Sequence, residues 1–557
     1  MKKAVKIRAL KLLVTGVFVG ALILTLAVIA GQTPTLAAPA TTISINNSAD
    51  LIAYSREYAN GQHNPQDTLS LALSTGSMYV LPENGGSGYI SIGSDSRPFD
   101  GQILIADSAS ATFLLDTPLF GTMTTNVTIG NGSGSVRQVE IMRSSDVDDV
   151  PLFAQKVVAV SGASDAVWSV KLNPDDSDSD NITAFKFAGV VGEIGDGCSV
   201  SLAFEHNSVT ENAQGASVTA NVTASGDVGI LCGTLGEGST LIADVTLGSD
   251  MAGKTFNVTS VSGNAGGVVG YMKDGSSVVM KNGFASFFNV TADAGFAGGI
   301  AGYAENADIS VDTAPSGYFT VTKAISGADG AGALYGYYES TKNNAGASGG
   351  TRTFDLKNLR TDEDIAISAG SSSAAGGVIG RLYAENSITV TDGSVSDVGS
   401  VSAYDRTVKF TGGKYRGGVI GSYANTSLDN VLEILNVPVK IAGNSGSNTE
   451  SAGAIGEISD ADGTSAAYVK INGLRVENSG TISAGAVGKM GSKGSFVDFT
   501  GRYKGKGTRV AGLVDDMGCG VIRISGVTDL SETTSNTAQL VNKRGNGLIY
   551  ALGSGAD

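Results

Sequence analysis

Residues 264–278 read NAGGVVGYMKDGSSV. Gly266, Gly267, Gly270 and Gly275 are interleaved with Val268, Val269 and Tyr271. Glycine at that density weakens a strand interior, while the valines and tyrosine are too apolar for a flexible linker. Residues 296–309, FAGGIAGYAENADI, have nearly the same form. Two readings compete: a glycine loop that cradles a ligand, or one unit of a repeat. Recurrence decides for the repeat. Related stretches are FAGVVGEI (187–194), DVGILCGTL (227–235), GAGALYGYY (330–338), AGGVIGRL (375–382), RGGVIGSY (416–423), SAGAIGEI (451–458) and SAGAVGKM (483–490). PLFGTM (118–123) and PLFAQK (151–156) are degenerate early copies, and VAGLVDDM (510–517) and NGLIYAL (546–552) are late ones. Successive copies lie 27 to 44 residues apart, a spacing that suits a stacked array with insertions at its turns.

Between copies the sequence alternates. Ile309 and Val311 share one face, as do Phe319 and Val321, Ile388 and Val390, Val408 and Phe410, Val469 and Ile471, and Leu474 and Val476. Period-two alternation bounded by Gly, Asn, Asp and Ser reads as short half-buried strands. Each repeat then holds about three strands, counting the Gly-φ-φ-Gly segment as one. After residue 182 the only prolines are Pro315 and Pro438, as expected where nearly every strand donates to a ladder. The expected fold is all-β: a right-handed parallel β-helix of roughly 10–13 coils, each burying its inner face against its neighbours. A β-propeller and serial β-sandwiches are the runners-up, but a propeller blade needs four strands. NNSADLIAYSREYANGQ (46–62) carries an N-cap signal, with Leu51, Tyr54 or Ser55, and Tyr58 on one face. It predicts a short helix capping the first coil, whose open edge would otherwise invite pairing.

Lys2, Lys3, Lys6, Arg8 and Lys11 precede an uncharged run, Leu12–Ala30, and a small-residue exit at Ala38-Pro39-Ala40. That is the layout of a signal peptide, residues 1–40, with an uncleaved N-terminal membrane anchor as the rival. No second apolar run of membrane-spanning length follows, so no membrane span is expected in the mature chain. Residues 41–115 are assigned to the cap and first coils, and 116–557 to the repeat array. Loss of the five leader charges takes the formal charge from −16 to −21, which repels nucleic acid and anionic membrane. The chain stops at YALGSGAD without a recognisable cap, so a further C-terminal domain or anchor is expected.

Candidate chemistry is sparse. The only histidines, His63 and His206, fit no HExxH pattern and read as ordinary loop or strand residues. The glycine motifs lack the following helix that a phosphate cradle requires. Their glycines are expected to allow tight turns and close approach between coils. Asp176, Asp178 and Asp180 alternate as in a calcium loop, but Asn181 and Phe187 occupy the positions that need Gly and Glu. LPENG (81–85) has Asn where a sortase signal has Thr and reads as a turn. Cys198, Cys232 and Cys519 are expected to be buried free thiols, or at most one bridge. No catalytic, cofactor-binding or metal residue is assigned. The longest gap between copies, 336–380, is the expected variable surface feature.

The Gly-φ-φ-Gly copies between 187 and 490, with SADLIAYSREYANGQ and YISIGSDSRPFDGQILI (89–105), resemble the GLUG-type (Gly-Leu-x-Gly) repeat proteins of bacterial surfaces. FDGQIL stands where that family has an FDGNGH turn. The resemblance implies secretion, a β-helix and a cell-surface adhesive or structural role. The expected function is a non-enzymatic adhesin or interaction scaffold that meets surface glycans or proteins of host or neighbouring cells through variable turns and lateral faces. The alternative is a carbohydrate-active β-helix enzyme, a polysaccharide lyase or glycoside hydrolase.

Overall fold

The computed structural model describes residues 40–556 except 82–87, 143–148, 163–164, 173–183, 207–218, 248–255, 282–287, 313–318, 322–323, 342–350, 358, 362–364, 393–406, 426–427, 443–449, 460–466, 479–481, 492–494, 506–508, 512 and 525–548. Among them one helix precedes a long succession of parallel strands, and the architecture is a parallel β-helix.

One coil shows the plan. Phe256–Ser260 forms face I and pairs with Thr219–Ala224 below and Phe288–Ala292 above. Ala265–Gly266 forms face II, between Val228–Gly229 and Phe296–Gly298. Val269–Met272 forms face III, between Cys232–Leu235 and Ala301–Glu305. Ser277–Met280 forms face IV, between Thr240–Leu247 and Asp308–Val311. Face II runs as a 9-stranded sheet and face IV as an 8-stranded one. The strands of faces I and III belong to one 26-stranded system. Val514–Ile524 joins its parts, pairing with Val487–Met490 at one end and Phe496–Gly505 at the other.

This corrects the expected three strands per coil. The glycine motif is not one strand: Gly267 and Val268 form a bend that splits it into two, giving four short strands. Register nevertheless follows the motif throughout. Both early degenerate copies are true rungs, since Phe120–Thr124 and Ala154–Val158 pair with each other and the latter with Val191–Ile194.

The motif glycines explain the split. A Cβ on Gly266 would stand 1.8 Å from the Val269 carbonyl oxygen, and one on Gly298 1.7 Å from that of Ala301. Gly376 and Gly417 repeat this at 1.8 Å. A second column stacks coil on coil: a Cβ on Gly302 would meet the Gly270 oxygen at 2.7 Å, and Gly380 and Gly421 the oxygens of Gly336 and Gly380 at 2.4 Å. None of these glycines has a positive φ. Close backbone approach, and not the left-handed conformation, is what excludes a side chain here.

Inside, face III buries the ladder Cys232, Val269, Ala301, Tyr335, Ile379 and Ile420, all 0% exposed. Small Ala301 and Ala304 lie under large Tyr335 and Tyr338, so volume is balanced between adjacent coils. The alternating pairs Ile388/Val390, Val408/Phe410, Val469/Ile471 and Leu474/Val476 are all buried as their pattern requires, Ile309 and Val311 are half-buried, and the side chains of Phe319 and Val321 lie outside the described residues. Pro438 opens its strand, where a missing N–H costs least.

The helix α1, Ser48–Ala59, matches expectation. Asn47 caps it, accepting from the Asp50 N–H, and Leu51, Tyr54, Ser55 and Tyr58 are its buried residues. The Ser48 and Ser55 hydroxyl oxygens accept from the Val80 and Ile90 amides, and the Tyr58 hydroxyl donates to the Pro98 carbonyl at 3.0 Å. These bonds fasten α1 to the first coils. The gap at 336–380 is not a protrusion in its described part: Arg352–Asp355 and Ile365–Ala369 are further rungs, paired with Ile388–Thr391 and Thr407–Phe410.

Candidate functional site

At each corner the chain leaves face II and enters face III. The residue after the motif's last glycine is the one kept out of the core, as Tyr271 is in Val269–Met272. Parallel register stacks these residues into one straight column. It runs through Thr122, Lys156, Glu193 and Thr234 and continues with Tyr271, Tyr303 and Tyr337. Arg381, Ser422, Glu457, Lys489 and Asp516 follow. A second column, at or just before the start of face II, holds Asp227, Asn264, Phe296, Gly330, Ala374 and Tyr415. Side chains of the two columns meet across the corner, forming a cleft along the coil axis whose chemistry changes from coil to coil.

Its first part is polar and widens to a cavity of 430 Å³ that Asp95, Asp149, Lys156, Glu193 and Asp227 help to line. Each carboxylate already has a partner. Asp95 accepts from the Thr122 hydroxyl at 2.8 Å, and Asp227 from the Asn264 amide N–H and side-chain NH2, both at 2.8 Å. Glu193 pairs with Lys156 at 3.2 Å. Asp149 adopts a left-handed φ of 63°, uncommon for a residue with a Cβ, and its carboxylate accepts from the Ser225 backbone N–H and hydroxyl. Among the described residues no group of three or more His, Cys, Asp and Glu could hold a metal ion.

The middle part is aromatic. Tyr271 and Tyr303 meet edge to face with centroids 5.1 Å apart, and Tyr303 and Tyr337 lie 4.8 Å apart. From the facing column Phe296 stacks on Tyr337 at 4.9 Å and meets Tyr303 at 5.9 Å. Gly330 makes room: a Cβ there would lie 3.1 Å from Phe296 and 3.3 Å from the Arg381 stem. Glu305, Glu339 and Tyr383 form a flanking column two residues further along the strand. The Tyr303 hydroxyl donates to Glu339 at 2.5 Å and the Tyr383 hydroxyl to Glu385 at 3.1 Å. Partial burial, then the bond to Glu339, raises the Tyr303 pKa; burial and Glu305 do the same for Tyr271. Burial and the Glu339 charge raise that of Tyr337, with Arg381 opposing. These phenols stay neutral throughout the physiological range.

Further along, Lys489 sits 3.2 Å from Glu457 and 3.5 Å from the Tyr415 hydroxyl. Lys414 also lies over the Tyr415 ring, 4.9 Å from its centroid. Burial works against the Lys489 ammonium, but Glu457 and Tyr415 together outweigh it and raise its pKa.

Of the candidate residues whose side chains are described, His63, Cys198 and Cys232, none lines this cleft. The two ring nitrogens of His63 face carboxylates, Glu57 at 2.8 Å and Asp67 at 3.4 Å, and Tyr54 packs beside the ring at 4.4 Å. That clasp leaves neither nitrogen to serve a nucleophile. His206 ends a strand in register with Leu172 and Leu247, and its side chain lies outside the described residues. Asp176, Asp178 and Asp180 also lie outside them, as do residues 82–85 of the LPENG turn. Cys198 and Cys232 are buried free thiols. Burial pushes the Cys198 pKa up to about 11 and raises that of Cys232. The Cys519 side chain is outside the described residues.

The cleft itself was missed, although its signal stands in the motif. The position after the last glycine reads Tyr, Tyr, Tyr, Arg, Ser, Glu and Lys in successive copies from 271 to 489, while the residue before it is always glycine and the one after it carries no charge in any of them. No protein-family model, curated protein or solved structure matches the chain.

Proposed function

We propose that this chain is a secreted, non-enzymatic β-helix of the cell surface, an adhesin or interaction scaffold of the GLUG-repeat kind that binds through its lateral cleft and variable turns. One observation carries the reading: the outward position after the motif's last glycine changes between aromatic, cationic, anionic and hydroxyl side chains, and register lines it up along the cleft. A solenoid keeps its backbone constant and changes its surface at such positions. The test is twofold. Fractionation with N-terminal sequencing is expected to find the chain outside the cell and starting after Ala40. Purified protein is expected to bind intact cells or extracellular matrix, and a bulky thiol label on Thr234→Cys, in the cleft, to abolish that binding. Recovery in the cytoplasm, or binding indifferent to the label, contradicts the proposal.

The second reading, a carbohydrate-active enzyme, is favoured by four carboxylates and a lysine around one cavity. Against it, each carboxylate is engaged by a hydrogen bond or ion pair, whereas acid–base cleavage of a glycosidic bond needs a carboxyl pair free to exchange protons with substrate. New reducing ends or unsaturated products from neutral or acidic polysaccharides, with or without calcium, would establish the enzyme instead.

A further inference from the structure

We propose that the aromatic part of the cleft binds one extended, neutral polysaccharide chain lying parallel to the coil axis. The inference rests on the reading of the cleft as the binding surface and names its ligand.

Three features converge on this ligand. The first is spacing. Tyr271, Tyr303 and Tyr337 occupy consecutive rungs, with ring centroids 5.1 and 4.8 Å apart. Strands in a sheet advance by about 4.7–4.9 Å, and an extended β-linked pyranose chain advances by nearly the same distance per sugar. The rings lie at 90° and 47° to one another, so a chain laid along the column passes one tyrosine per sugar and meets a face or an edge in turn.

The second is chemistry. A pyranose ring has an apolar C–H face and a rim of hydroxyls. Tyr271, Tyr303, Tyr337 and Phe296 are half-buried, so aromatic surface remains open to the solvent side. Tyrosine suits such a boundary because one end is apolar and the other hydrogen-bonds. The flanking column supplies rim partners: Glu305 and Glu339 can accept from sugar hydroxyls, and the Arg381 guanidinium can donate. Gly330 keeps the opposite wall free of a side chain so that Phe296 and Arg381 can lie there.

The third is charge. Glu305 and Glu339 border the aromatic part, and Glu193 and Asp227 lie at its polar end. The mature chain carries −21 overall. Beside the tyrosines the carboxylates of Glu305 and Glu339 outnumber the one cation, Arg381, which disfavours a uronate, sulfated or phosphorylated polymer there. A neutral chain meets no such barrier.

The experiment is calorimetry on the full secreted chain with four neutral β-1,4-linked hexasaccharides: cellohexaose, xylohexaose, mannohexaose and chitohexaose. Hexagalacturonate is the charged control, and the corresponding disaccharides test length. At least one neutral hexamer is expected to bind, at least about tenfold more tightly than its disaccharide and than hexagalacturonate. Tyr271→Ala and Tyr303→Ala should each weaken it about fivefold to tenfold, the share of one ring contact. Tyr303→Phe keeps the ring and should retain most of the affinity, and far-UV circular dichroism should be unchanged in all three variants. Should Tyr303→Ala not fold, Glu339→Gln, which leaves the rings in place, is expected to weaken binding alone. Failure of all four hexamers to bind, tighter binding of hexagalacturonate, or binding indifferent to both alanine variants overturns the proposal. Cell binding blocked by the label at Thr234→Cys but untouched by the tyrosine variants would remove the glycan site and leave the scaffold intact. Cell binding that ignores both would remove the two readings together. A basic protein captured through Glu305 and Glu339, with no glycan bound, would replace the ligand.

Discussion

Gly270 and Tyr271 are neighbours in sequence and opposites in constraint. Gly270 belongs to a column in which each would-be Cβ points at backbone of the adjacent coil, 2.3 Å from the Val228 nitrogen in its own case. Tyr271 belongs to a column facing solvent, where Thr234 stands on one side and Tyr303 on the other. The same register that forbids change at one position permits it at the next. The fold is therefore held by positions that look like a loop, and the surface varies at positions that look like noise within a repeat.

The strongest way to break this contrast is to place a methyl group in the first glycine column. Gly298→Ala or Gly376→Ala would put a Cβ 1.7–1.8 Å from a carbonyl oxygen, so each is expected to lose more than about 4 kcal/mol or fail to fold, the range of severe core overpacking. Denaturant midpoints check this. The equivalent change one column over, Tyr271→Ala, is expected to cost only about 0.5–1.5 kcal/mol, the worth of an aromatic pair. Equal losses at the two positions would remove the distinction.

Alkaline pH probes the interior side of the contrast. Burial raises the pKa of Tyr335, Tyr338 and Tyr423 above the ordinary 10.0 and pushes Cys198 from 9.0 to about 11. Above pH 9 to 10 the unfolded chain thus releases protons that the folded chain keeps, and stability falls as pH rises. Guanidinium midpoints at pH 8 and 10.5 should show the drop. Thiol reagents should label Cys198 and Cys232 only on unfolding, as peptide mapping would reveal.

Arg416 sharpens the contrast from the other direction. It occupies a core position on face II at 3% exposure, with its Nε donating to the Gly413 carbonyl at 3.1 Å. Its Nη1 has no hydrogen-bond partner among the described residues, and burial lowers its pKa to about 10. Arg416→Met should be neutral or stabilise the protein by up to about 1–3 kcal/mol, the cost of an unsatisfied buried polar group. Thermal melts at pH 7, where the arginine is charged, test it.

Much of the fold was legible because it is written locally and repeatedly. Alternation placed Ile388 and Val390 inside, Asn47 and its followers announced α1, and the motif copies marked the rungs. The split of the motif was not legible, since strands as short as Ala265–Gly266 carry no period-two signal. The cleft was not legible either. Its partners, such as Phe296 and Tyr337, lie on different coils, and the insertions between copies hide which residues register brings together.

That register is the central claim, and spin-label distances measure it most directly. Labels on Thr234→Cys and Glu457→Cys sit six rungs apart through Tyr271, Tyr303, Tyr337, Arg381 and Ser422. At about 4.8 Å per rung their separation should be about 29 Å, and from Thr234→Cys to Tyr337→Cys about half that. Two distances in that ratio confirm one straight column along a stacked coil. Distances that do not grow with rung number would contradict it.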